Sequence, residues 1–81
     1  MRNEILLRRI QSGASRNVRF ADFIRVVEAH GFVFAGQAGS HRGYKHSCGA
    51  VLNLQEKDGE AKPYQINQFL KIVDAYGLTL K

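Results

Sequence analysis

Eighty-one residues, 44% apolar and 23% charged, make one hydrophobic core and leave no room for a second. No apolar run approaches the roughly 20 residues of a membrane span, the start of the chain lacks a signal-peptide pattern, and the single cysteine, Cys48, excludes an internal disulfide. A reducing cytoplasm is therefore the expected compartment, and the net charge of +5 with a pI of about 9.8 directs attention to anionic partners.

Residues 3–11 read as a short helix, with Asn3 as its cap and Leu6, Leu7 and Ile10 on one side. Ser12-Gly13-Ala14-Ser15 breaks it. Residues 20–30 read as a stronger helix, because Phe20, Phe23, Ile24 and Val27 recur at the spacing of one buried stripe. Gly31 stands where such a helix ends in a left-handed residue. A first strand is predicted over 32–35, a turn over 36–40, a second strand over 41–46 and a third over 50–54, with Ala50, Leu52 and Leu54 on one face. Residues 55–62 form a charged loop around Asp58-Gly59. Pro63 suits the first position of a last helix, whose stripe is Ile66, Phe69, Leu70 and Val73 and whose end is marked by Gly77. Short connections require an antiparallel sheet. The predicted architecture is α+β: a two-layer sandwich in which helices cover one face of a three-stranded antiparallel sheet, all within a single domain.

The charge is unevenly placed. Residues 1–31 hold six Arg against three acids, residues 32–49 hold Arg42 and Lys45 with no acid, and residues 50–81 hold four Lys against four acids. No Asp or Glu occurs from Ala29 to Gln55, and all three histidines, His30, His41 and His46, lie in that run. An imidazole that titrates near neutrality, in a cationic and acid-free stretch, points to RNA binding or RNA cleavage.

Three blocks carry a resemblance to a known family. The first is Val26-Val27-Glu28-Ala29-His30-Gly31-Phe32, the second Gly39-Ser40-His41-Arg42-Gly43-Tyr44 extended by His46, and the third Asn53-Leu54-Gln55 with Lys62-Pro63-Tyr64-Gln65-Ile66. In this order the chain resembles HicA-type toxins, small mRNA interferases of type II toxin–antitoxin modules. The resemblance covers about residues 17–78 and implies a double-stranded-RNA-binding-domain-like α-β-β-β-α fold, with the helix before Asn17 as an addition. It further implies metal-independent cutting of mRNA, restraint by a HicB-type antitoxin, no cofactor, and His41 as catalytic residue. Many relatives carry a basic residue just before Gly-Ser-His, where this chain has Gln37-Ala38. Phosphate contacts then fall to Arg42, Lys45 and the Arg-rich amino-terminal segment, with Gly39, Ser40 and Tyr44 completing the expected RNA surface.

Cutting RNA without a metal needs a base for the 2′-hydroxyl proton, donors for the phosphorane and an acid for the leaving oxygen. His41 serves as base when neutral and as acid when protonated. A second histidine does not help, because the strand between His41 and His46 spans roughly 16 Å and puts them on opposite faces. The same alternation groups Arg42, Tyr44 and His46 against His41 and Lys45. The bulk of Tyr44 turns its group toward the helices, so His41 and Lys45 remain open to RNA, with Tyr44 a packing residue first and a stacking platform second. His30 sits at a helix end, where the dipole accommodates it. His46-x-Cys48 offers two metal ligands with no acid to add a third, so no metal site is expected. The competing reading is a non-catalytic RNA-binding module of the same fold. Duplex reading expects a Lys-rich start to the last helix, and residues 61–67 hold one Lys, Lys62.

Overall fold

The computed structural model describes residues 2–81. Its elements run α1 (Asn3–Gln11), α2 (Phe20–Ala29), β1 (Val33–Ala38), β2 (His41–Lys45), β3 (Val51–Lys57), β4 (Glu60–Ala61) and α3 (Pro63–Tyr76). The strands form one antiparallel sheet in the order β1-β2-β3-β4, so the α+β architecture stands, with one strand more than the three predicted.

Each helix follows its apolar stripe. Phe20, Phe23, Ile24, Val26 and Val27 of α2 are buried, as are Ile66 and Phe69 of α3 and Leu6 and Ile10 of α1. These side chains share one core with Tyr44, Leu52 and Leu54 of the sheet. Phe69 sits at its centre, with Phe23 edge-on at 5.5 Å and Phe32 at 6.0 Å. Fully burying each such ring contributes about 1.5–3 kcal/mol. Asn3 is the first residue inside α1 rather than its cap, which is Arg2, whose side chain makes no capping hydrogen bond. Glu4 in the first turn and Arg8 and Arg9 in the last complement the helix dipole instead.

The sheet departs from expectation at two places. Phe32 points into the core, 3% exposed, and β1 starts after it and runs on to Ala38. A bulge between Phe34 and Gly36, where Gly36 has φ +133°, lets the strand continue through what composition alone reads as a turn. The predicted loop 55–62 is a hairpin. Asp58 and Gly59 have φ +54° and +80°, the type I′ signature that matches strand twist, and they fold Glu60–Ala61 back onto Glu56 and Lys57. The segment before α2 completes that edge: Ala61 N–H donates to Val18 C=O and Phe20 N–H to Gly59 C=O, both at 2.9 Å.

Candidate active site

The two residues Gly39-Ser40 connect β1 to β2, and Ala38 pairs directly with His41. Gly39 has φ +60° while Ser40 keeps a negative φ, as a type II′ turn demands. Gln37 Nε2 donates to the Gly39 carbonyl at 3.0 Å, bracing the turn. Hence Gly-Ser is the covalent device that sets the register in which His41 begins the strand.

Alternation along β2 then decides which face each side chain takes. Tyr44 pairs with Leu52 and Arg42 with Leu54, and both leucines lie in the core. His41, Gly43 and Lys45 face the other way, opposite Gln55, Asn53 and Val51, and His41 and Lys45 are exposed. Gly36 and Gly43 are neighbours on this outer face and carry no side chain, which leaves a depression of about 310 Å³ bounded by Gln37, Ala38, His41 and Asn53. A larger hollow of about 490 Å³ lies between β3 and α3, beside Gln68 and Lys71. It shares Val51, Leu52 and Asn53 with the first, so the two adjoin along β3, and the first, floored by Gly36 and Gly43, is the trough beside His41.

Two expected RNA contacts lie elsewhere. Tyr44 is 0% exposed, packed edge-on against Phe34 at 5.8 Å, and a base cannot stack on it. Arg42 lies on the same inner side, its guanidinium 5.2 Å above the Phe34 ring and 5.8 Å from that of Tyr44. It therefore does not share a surface with His41. Burial pushes the Tyr44 phenol above its ordinary value; Arg42 opposes the rise and Glu28 adds to it. The Tyr44 hydroxyl and Arg42 Nε are buried without a hydrogen-bond partner.

The other histidines are structural. His30, 1% exposed, donates from Nδ1 to Val26 C=O at 2.8 Å and packs edge-on against Phe69 at 5.1 Å. His46 Nε2 faces the His30 carbonyl at 2.9 Å and must donate, while its Nδ1 accepts from Cys48 N–H at 2.9 Å. Both ring nitrogens of His46 are thereby engaged, leaving none for a metal or a proton shuttle.

A polar cluster adjoins His41, built on Ser40 and on Gln55, Lys62 and Gln65, three residues to which the sequence alone assigned no role. Gln55, its partner across the strands, bonds through Nε2 to Ser40 Oγ at 2.9 Å and through Oε1 to Lys62 Nζ at 2.5 Å. The Gln55 N–H donates to Oε1 of Gln65, which is 5% exposed. Gln55, Lys62 and Gln65 all belong to the third block quoted above; only its juxtaposition with Gly-Ser-His was hidden.

Over residues 20–74 the chain matches the family model described as HicA toxin of bacterial toxin-antitoxin. No curated protein and no solved structure matches it. The matched span holds the whole sheet, α2 and most of α3, including every residue of the cluster around His41; α1 lies outside it.

Proposed function

The chain belongs to the HicA toxin family of bacterial toxin–antitoxin systems, and from that premise we propose that it is a metal-independent mRNA interferase with His41 as its single catalytic histidine. As a toxin of such a module it has a cognate antitoxin as partner. The observation that carries the catalytic reading is the position of His41: exposed, on an outer sheet face, at the rim of a trough floored by glycine backbone, in a stretch without a carboxylate. A ribose-phosphate can approach a floor of that kind closely, and nothing there repels its charge.

In this reading neutral His41 takes the 2′-hydroxyl proton, and the 2′-oxygen attacks the adjacent phosphorus. The 5′-oxygen leaves as it takes a proton from water, giving a 2′,3′-cyclic phosphate and a 5′-hydroxyl end. N–H donors around the Gly-Ser turn offset the charge that builds on the phosphorane, and Lys45, at the far end of the same strand face, attracts the RNA backbone beyond it. A HicB-type antitoxin with an acidic surface would cover the same face, guided by opposite charge. Translated RNA as substrate would place the protein in the cytoplasm.

The test is cleavage of a long single-stranded RNA in EDTA by the wild type and by His41→Ala. Loss of a general base costs about 10²–10⁴ in rate, so the variant should show no cutting on the wild-type time scale. Equal cutting by both removes His41 from the mechanism. A folded wild type that binds RNA without cutting it makes the domain an RNA-binding module instead.

A further inference from the structure

The hydrogen bonds of Gln55 dictate the orientation of their neighbours. Lys62 Nζ has only hydrogens to give, so the Gln55 atom 2.5 Å from it must be the amide oxygen. The amide nitrogen therefore faces Ser40 and donates, and Ser40 Oγ accepts at 2.9 Å. The hydroxyl hydrogen of Ser40, on an exposed turn, is left free to point outward. Two hydrogens of the Lys62 ammonium are equally free, and among the described residues no carboxylate lies within ion-pair distance of it. Ser40, Lys62 and, across the strand pair, His41 thus surround a single amide group. Every outward-facing group of Ser40 and Lys62 donates, which is the complement of an anion with oxygens on several sides. Gln65, buried and bonded to the Gln55 backbone at 2.8 Å, ties the start of α3 to this point of β3.

We infer that Lys62, together with the Ser40 hydroxyl, holds the phosphodiester of the RNA substrate beside His41, with Gln55 as the positioning residue between them. The inference rests on the reading of His41 as a ribonuclease base. It answers the absence of a basic residue ahead of Gly-Ser-His, where Gln37-Ala38 stand: the cation arrives from the end of the second hairpin instead of from the preceding strand. Arg42, turned to the inner face, does not supply it.

The experiment compares Lys62→Met, Lys62→Arg and Gln55→Leu in RNA cleavage in EDTA, and in binding of the same RNA in a His41→Ala background where nothing is cut. Lys62→Met should lower kcat by about tenfold or more. It should also reduce the salt slope of binding by roughly 0.7, the share of one phosphate contact on a single strand. Lys62→Arg should restore most of both, and Gln55→Leu should lie between. Cleavage and binding by Lys62→Met within about twofold of the parent overturn the inference, as does a loss that Lys62→Arg fails to restore. If the wild type cuts no RNA, the catalytic reading of His41 falls by itself. Binding in the His41→Ala protein then decides Lys62 independently, and an unchanged affinity and salt slope overturn it.

Discussion

Replacing Gly31 by alanine should cost far more than replacing the other helix-ending glycine, Gly77. Gly31 follows α2 with φ +98°, and a Cβ there would lie 2.9 Å from His46 Nε2 and 3.3 Å from its Cδ2. The third neighbour, Lys81 Nζ at 3.3 Å, is the end of a flexible side chain and can move away. His46 cannot yield so easily. Its ring is held by the His30 carbonyl and the Cys48 N–H, and packs on Phe32 with centroids 5.0 Å apart. Two costs add. A non-glycine residue at positive φ costs about 1–2 kcal/mol, and displacing His46 gives up two hydrogen bonds at about 1 kcal/mol each. The sum, about 3–4 kcal/mol, is a large share of the stability of a small domain. Gly77 has φ +63°, and a Cβ there would meet nothing within 4 Å, so Gly77→Ala should carry the first cost alone. Urea unfolding with an unchanged m-value measures both. In a His46→Ala background the Gly31→Ala penalty should fall to the Gly77 level, a coupling of about 2 kcal/mol. Equal penalties at Gly31 and Gly77, or no coupling to His46, would refute the reasoning and reopen a mobile, chemically available His46.

Tyr44→Phe should leave stability unchanged or raise it by about 1 kcal/mol, since it removes a buried hydroxyl with no partner; a loss above about 1 kcal/mol in urea unfolding would contradict that. The phenol is held above its ordinary value of 10.0 in the folded chain. The unfolded state thus loses this proton first, and stability present below pH 10 declines as pH rises beyond it. Unfolding followed across that range should show a steeper decline for the wild type than for Tyr44→Phe. Gly43→Val places a methyl-bearing Cβ 3.7 Å from the Gly36 carbonyl, an ordinary contact, at a strand position without positive φ. The fold should persist while the trough beside His41 fills, lowering RNA cleavage by about 10²-fold; full cleavage by a folded Gly43→Val protein would place the RNA elsewhere.

The helices and the two faces of β2 were legible because each depends on residues close together in the chain. Phe20, Phe23, Ile24 and Val27 mark α2 by spacing alone, and the bulk of Tyr44 orients the strand so that His41 and Lys45 face out. Positive-φ positions such as Gly31 and Gly77 also show themselves locally, since only glycine adopts them without strain. β4 was not legible, although Asp58-Gly59 is a hairpin turn pair, because the residues flanking it are charged and show no apolar alternation. Its pairing is supplied by Glu56 and Lys57 on one side and by the bond from the Ala61 N–H to the Val18 carbonyl on the other.

The candidate site divides in the same way. His41 was visible through the Gly-Ser turn that precedes it. Lys62 and Gln55 were visible as residues and not as neighbours of His41, because Ser40, Gln55 and Lys62 meet only once two hairpins have set their registers. Local pattern determines element type and the face a side chain takes, since both follow from the backbone period of a few consecutive residues. Which side chains then converge depends on strand register and on the docking of α3 against the sheet. Those are settled by the joint burial of distant residues, and only the tertiary structure decides them.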